Sequence, residues 1–315
     1  MDVMKRFKYS ILLVCSLSLV GCFESSTHED TISRQIDNPT DKEIKVSIDG
    51  NELVIPAKSS VNHTFEYGKH QLTYNGQSLN FIVKPTKSYN DGFINPTQSN
   101  YYMYEAYYST KGQTRKNEMI KNVKTFQVTI NGEPWDIELP VKIINDVFIE
   151  RYYGKYGVAW SYGINDKLPE QISFEKSTSS APIRYKLFRE ADFIEYLAKT
   201  DEELKTLQFP NQPKKYADLT KHIVPNINIA DIKCDEGREF VKQHLADWNN
   251  LFTLKGEEFT KLHNQIISTD TYKKRNNSDN KCTEENDPNH TYRLAIREVD
   301  LAFRDVEQVN LFINE

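Results

Sequence analysis

Ile44-Lys45-Val46-Ser47-Ile48-Asp49-Gly50-Asn51-Glu52-Leu53-Val54-Ile55 decides how this chain is read. Ile44, Val46 and Ile48 alternate with polar residues, which puts them on one face of an extended strand, since successive side chains point to opposite faces. Asp49-Gly50 follows, a pair suited to the two left-handed positions of a tight hairpin turn. With those two residues as the turn, Val46 stands opposite Leu53 and Ile44 opposite Ile55, so both strands bring their apolar side to the same face. Further on, Asn75-Gly76 predicts a second hairpin, with Leu72 opposite Leu79, His70 opposite Phe81, and Val83 prolonging that side. Residues 31–88 therefore read as a small antiparallel β-sandwich domain, or part of one.

A related pattern recurs downstream. Val128-Thr129-Ile130-Asn131-Gly132, followed by Trp135, Ile137 and Pro140, echoes Val46-Ser47-Ile48-Asp49-Gly50 followed by Leu53, Ile55 and Pro56. Asn95-Pro96-Thr97 echoes Asn38-Pro39-Thr40. The offsets are 82 and 57 residues, and this inequality favours convergence on one turn chemistry over two related modules. In the downstream hairpin Thr129 and Pro134 become a non-hydrogen-bonded pair. The missing proline donor then points away from the partner strand, and Pro134 marks an unpaired outer edge. Residues 89–188 are rich in tyrosine and predict strands over 101–108, 121–130, 135–144, 147–153, 158–162 and 183–188. These are expected to make one further, mostly antiparallel sheet in a second β-rich domain.

Past residue 188 the period changes. Phe193, Ile194 and Leu197 predict a helix over 191–199, with a shorter one over 202–207, before a proline-containing stretch from Phe209 to Pro225 interrupts. From Asp235 onward, Phe240, Val241, Leu245, Trp248, Leu251 and Phe252 recur at steps of three and four, the stripe of an amphipathic helix. Phe259, Leu262, Ile266 and Ile267 mark another, and residues 294–303 a third that starts near Asn289. The polar residues 276–287 between the last two read as a loop. The fold class is thus α+β: N-terminal antiparallel β-sandwich modules followed by a mainly helical domain over 189–315.

At the start of the chain, Lys5, Arg6 and Lys8 precede an apolar run of ten residues, Ile11 to Val20. A helix needs about twenty to cross the hydrocarbon core, so residues 1–21 read as a signal peptide. Leu19-Val20-Gly21-Cys22 resembles the lipobox of bacterial lipoproteins. The resemblance implies cleavage before Cys22, acylation of its thiol and permanent anchoring to a membrane, because several acyl chains hold where one does not. Residues 22–30 then form a flexible polar tether. Phe23 differs from the aspartate that marks inner-membrane retention. The expected place is therefore the periplasmic side of the outer membrane, or the outer face of the cytoplasmic membrane in a monoderm.

Of four cysteines, Cys15 leaves with the leader and Cys22 takes the lipid. Cys234 and Cys282 remain, and two thiols in an oxidising compartment are expected to pair. A metal site is the alternative, but Cys234 has no Cys or His at ligand spacing and Cys282 only His290. Removing residues 1–21 moves the formal charge from −5 to −7, which disfavours nucleic acid as a partner. Tyr67-Gly68-Lys69-His70-Gln71-Leu72 resembles the Gly-x-His approach to the last hairpin of PEGA-like modules, small β-domains of bacterial surface proteins. The resemblance covers residues 31–85 and implies a β-sandwich adaptor. The four residues that name that family are absent, so no functional residue carries over.

The sequence contains no nucleophile elbow, phosphate loop, His-Glu-x-x-His zinc motif or paired Cys motif. His244 and His263 on two predicted helices, with Glu257 and Glu258 nearby, could make a metal site; polar residues standing on solvated helix faces are the plainer reading, and no metal or cofactor is expected. His70 falls on the apolar face by parity and reads as a satisfied core or rim histidine, His63 as its neighbour across a turn. The run Tyr101-Tyr102-Met103-Tyr104-Glu105-Ala106-Tyr107-Tyr108 puts Tyr102, Tyr104 and Tyr108 on one strand face. Such a face can bind a glycan or a protein, although strands also use aromatics for packing. The sequence therefore supports two readings. The first is a noncatalytic, membrane-anchored envelope protein with a protein partner, as an accessory factor or a toxin-neutralising protein. The second is an envelope enzyme acting on peptidoglycan or another glycan.

Overall fold

The computed structural model describes residues 30–86, 91–108, 123–151, 156–173 and 183–315. The expected leader, Cys22 and the tether up to residue 29 lie outside the described residues, as do residues 121, 122, 152 and 153 of two expected strands. The fold is α+β, with fourteen strands in antiparallel-rich sheets and four helices in the C-terminal region among the described residues.

Two sheets form the N-terminal sandwich. One joins β2 (Ile44–Ile48), β3 (Asn51–Ile55), β5 (Gly68–Tyr74), β6 (Gln77–Val83) and β14 (Leu311–Ile313) in the order β14-β6-β5-β2-β3. The other joins β1 (Thr31–Asn38), β4 (Ser59–Glu66), β7 (Gly92–Ile94) and β12 (Phe148–Glu150) in the order β12-β7-β1-β4. Ile36 and Phe65 of one sheet meet Ile48, Ile55, Leu72 and Phe81 of the other in a single buried cluster. Both expected registers are present: Val46 faces Leu53 and Ile44 faces Ile55, and Leu72 faces Leu79 and His70 faces Phe81. Asp49 and Gly50 sit at φ 51° and 85°, Asn75 and Gly76 at 48° and 72°, the left-handed pair that matches strand twist across a two-residue turn.

The echoed Asn-Pro-Thr boxes lie side by side. Asn38 ends β1 and Asn95 follows β7, and these strands run parallel with Ile36 opposite Ile94. Asn38 Nδ2 donates to Lys42 O (2.7 Å) and Asn95 Nδ2 to Ser99 O (2.9 Å). Each asparagine oxygen accepts the hydroxyl of the threonine two residues on, at 2.7 and 3.0 Å. The sequence echo is one turn built twice.

The strands of residues 89–188 do not make one sheet. β9 (Lys124–Ile130) and β10 (Glu133–Leu139) form a separate two-stranded ribbon, and β8 (Tyr101–Tyr107) lies between β11 (Val141–Ile144) and β13 (Ile183–Arg189), while β7 and β12 complete the sandwich. Residues 158–162 are not a strand; Tyr162 makes one bridge to Lys186. Ser161 N and Tyr162 N both donate to Tyr185 O, at 2.7 and 3.1 Å, a shared acceptor that does not propagate a ladder. The buried Lys186 ammonium beside them donates to Gly163 O and Leu187 O, both at 2.7 Å.

α1 (Glu190–Ala198) lies on the β8 sheet. α2 (Asp235–Leu251), α3 (Gly256–Ile266), α4 (Thr269–Lys281) and α5 (Thr291–Phe303) make the C-terminal cluster. Residues 276–281, expected in a loop, are helical. α4 has no apolar stripe to reveal it. It is held by the Ser268 cap on Thr271 N (3.2 Å), the Arg275–Asp300 pair and a disulfide at its end. That bond, Cys234–Cys282, joins the residue before α2 to the residue after α4, with Cα atoms 5.5 Å apart. The helical region docks on the sandwich at Gly68: its φ is +124°, and a side chain there would stand 2.3 Å from Leu254 O. Gly256 N donates to Tyr67 O at 2.7 Å beside it. The last residues then return as β14 to the edge of β6, with Leu311 opposite Val83, so hydrogen bonding crosses the boundaries expected at 88 and 188.

Candidate functional site

The tyrosine face is packed against its neighbours, with Tyr102 buried and Tyr104 and Tyr108 half-buried. Tyr102 is fully buried and stacked on Phe193 of α1, ring centroids 4.8 Å apart, and its hydroxyl donates to Glu190 Oε1 at 3.2 Å. Tyr104 packs on Tyr196 (5.2 Å), and the Tyr108 hydroxyl donates to Pro169 O (2.6 Å). α1 covers Tyr102, while Tyr104 and Tyr108 are half-buried and held by Tyr196 and Pro169, so these contacts give the three tyrosines a packing role. The opposite face is closed too: Tyr101 donates to Asp37 Oδ2, and Asp37 is clamped by the Arg189 guanidinium.

The histidines are bonded or packed within the fold, and His263, expected at the surface, is buried. His70 Nδ1 meets Asp49 Oδ2 (2.7 Å) and its Nε2 meets Glu66 O (2.8 Å). Asp49 also takes Lys255 Nζ at 2.9 Å, so the first hairpin turn is tied to the helical region. His63 packs edge-on against Phe65. His244 stacks on Phe240 and accepts from Trp248 Nε1 at 3.2 Å; burial lowers its pKa. His263 is buried and stacked on Phe259.

One polar knot escaped the sequence reading because its members are far apart in the chain. Arg34, Lys84, Glu150 and Asn310 are all buried where β1, β6, β12 and β14 converge. Asn310 Oδ1 accepts from Arg34 Nη2 (2.5 Å), its Nδ2 donates to Lys84 O (2.8 Å), and its backbone N–H donates to Glu150 Oε2 (3.5 Å). Burial pushes the Glu150 carboxyl up to about 7 against the pull of Arg34 and Lys84, and pushes the Lys84 ammonium down to about 8. Glu150 lines a cleft of about 320 Å³ with Asp146, Lys214, His222 and Asp305. Its Oε1, however, is sealed from solvent and has no hydrogen-bond partner among the described residues. The knot pins the last strand to the sandwich.

One outward-facing feature is the β9–β10 ribbon; Leu294, Leu301, Tyr272 and Ile223 are exposed elsewhere. Asn131 and Gly132 turn at φ 51° and 85°, and Thr129 pairs with Pro134 as expected. Thr129 exchanges both backbone hydrogen bonds with Gln208 (3.0 and 2.9 Å), so its N–H and C=O point away from β10. Thr129 and Pro134 are therefore the non-hydrogen-bonded pair, and the alternation turns the backbone groups of Pro134, Asp136 and Glu138 outward. The β9 side is closed by Gln208 and by Thr206 Oγ1, which accepts from Asn131 N at 2.9 Å. Among the described residues no backbone partner lies along the β10 side. Trp135 on this strand is 55% exposed, whereas Trp160 and Trp248 are buried. Glu133, Asp136 and Glu138 are exposed and, among the described residues, make no ion pair or side-chain hydrogen bond. Pro134 signalled this edge in the sequence; the exposure of Trp135 was not signalled, since its cross-strand partner Val128 is buried. No family model, curated protein or solved structure matches this chain.

Proposed function

We propose that this chain is a noncatalytic lipoprotein of the cell envelope that binds a protein partner, held to the membrane through lipid on Cys22, with the outer membrane as its place in a diderm. The lipobox-like Leu19-Val20-Gly21-Cys22 supports the anchor, and the PEGA-like approach at Gly68 and His70 supports an adaptor role for the sandwich. The observation that carries the reading is the β10 edge, where a half-exposed tryptophan stands beside outward backbone groups. Large aromatics left exposed beside a packed core are the usual anchors of protein interfaces.

The test uses full-length protein, solubilised from the envelope in mild detergent, as bait. Wild type and C22A should differ in membrane retention and palmitate labelling, and wild type should retain a defined envelope protein that W135A releases. Equal recovery by wild type and W135A, together with glycan hydrolysis by the purified chain, would favour the enzyme reading.

A further inference from the structure

We infer that β10 is a docking edge for an extended partner segment that adds to the ribbon as a third strand, with apolar residues alternating with lysine or arginine. The inference rests on the protein-binding reading and names the chemistry of the partner.

Three features lead there. First, the open edge offers alternate backbone groups in strand geometry: C=O of Pro134, Asp136 and Glu138, and N–H of Asp136 and Glu138, oriented outward by the Thr129–Gln208 exchange on the far side. An added strand satisfies these groups, which is how sheet edges capture peptides. Second, the two faces of the ribbon differ. Trp135, Ile137 and Leu139 share the face whose cross-strand partners Val128 and Phe126 join the core, whereas Pro134, Asp136 and Glu138 share the solvent face. A strand laid along β10 places every second side chain beside Trp135 and Ile137 and the others beside Asp136 and Glu138. The first set must be apolar. The second meets two carboxylates that have no cation of their own among the described residues, and opposite charges across strands attract while like charges repel. Third, the same carboxylates and the donor missing at Pro134 oppose self-pairing, since two β10 edges would set acid against acid. A second copy of this chain is therefore the wrong occupant and a cationic strand the right one.

The experiment titrates full-length protein in detergent with three synthetic octapeptides: alternating lysine and valine, four lysines followed by four valines, and alternating glutamate and valine. Affinity is read by calorimetry, and emission shifts report on Trp135, with W135F as the optical control. The alternating basic peptide is expected to bind about tenfold more tightly than the block peptide and to shift the emission to shorter wavelength. D136K/E138K, both on the exposed face, should reverse the preference toward the glutamate peptide. Methylating alternate peptide nitrogens should abolish binding in one phase and spare it in the other. Equal binding of the alternating and block peptides, or an unchanged preference in D136K/E138K, overturns the strand mode. If W135A releases an envelope partner while no peptide binds, the strand mode fails and the binding reading stands. If the peptides bind but no partner depends on Trp135, the binding reading fails and the edge keeps only its peptide chemistry.

Discussion

The hairpins turning on Asp49-Gly50 and Asn131-Gly132 are near copies in sequence and opposite in surroundings. Both adopt the same left-handed pair and the register their alternation demands. The first is built into a five-stranded sheet: β2 is flanked by β5, its apolar face is buried, and its Asp49 is clamped by His70 and Lys255. The second stands as a two-stranded ribbon with β10 exposed along most of its length. Turn chemistry and alternation thus specify a hairpin equally well in both places, and say nothing of what lies across its outer edge.

Breaking the Cys234–Cys282 bond should separate the two hairpins most. The crosslink spans 48 residues, and removing it as C234S/C282S should cost about 4 kcal/mol in the chain-entropy model. Because the helical region reaches the first hairpin through Asp49–Lys255 and the Gly68 contact, hydrogen exchange should speed up in β2–β3 and stay unchanged in β9–β10. Equal loosening of both would mean that the clamp does not transmit. Next in size, I55A opens a cavity in the sandwich core and should cost about 3 kcal/mol in a denaturant melt, while I137A, half-buried on the ribbon, should cost clearly less.

Protons should act on the first region through Glu150. Glu150 sits with the sandwich, and its carboxyl is raised from near 4.5 to about 7. A raised carboxylate stabilises fully below its unfolded value, and that stability is lost as pH rises through the folded value. The sandwich should therefore weaken between about pH 4.5 and 7, by at most about 3 kcal/mol. E150Q should flatten this slope in melting temperature against pH. A slope that survives in E150Q would assign it to other groups. Lys84 has the opposite sign: its pKa is lowered to about 8, so its contribution is present at high pH and lost as pH falls through that value. K84M should remove that loss.

The smallest contrast is at the turns. Gly50 and Gly132 share φ 85° with open space where a Cβ would stand, so G50A and G132A each meet only the backbone penalty, about 1 kcal/mol. G50A should lower the global melting temperature, whereas G132A should raise exchange only within β9–β10. W135A should change stability by no more than about 0.5 kcal/mol, which makes it a clean probe of binding.

Local features were legible where the physics is local. The turn dipeptides, the pairing of Thr129 with Pro134, the apolar stripe of α2 and α5 and the pairing of the last two cysteines follow from backbone preference, period and thiol count. α4 was hidden because Thr269–Lys281 carries no apolar period; its cap, its Arg275 bridge to α5 and its crosslink hold it. The knot of Arg34, Lys84, Glu150 and Asn310 was illegible for a different reason: its members lie on β1 and β12 and at the ends of β6 and β14, far apart in the chain, and a buried charge is recognised only by what surrounds it.

Sequence by itself determined that this chain makes hairpins at three Asx-Gly turns, that residues 240–252, 259–267 and 294–303 are helical in period, and which face of each hairpin strand is apolar. Tertiary structure alone decided that the tyrosine strand would be covered by α1, that β14 would close on β6, and that β10 would be left open. The reason is that periodicity records which side of an element shuns water, whereas burial depends on which other element arrives to cover it.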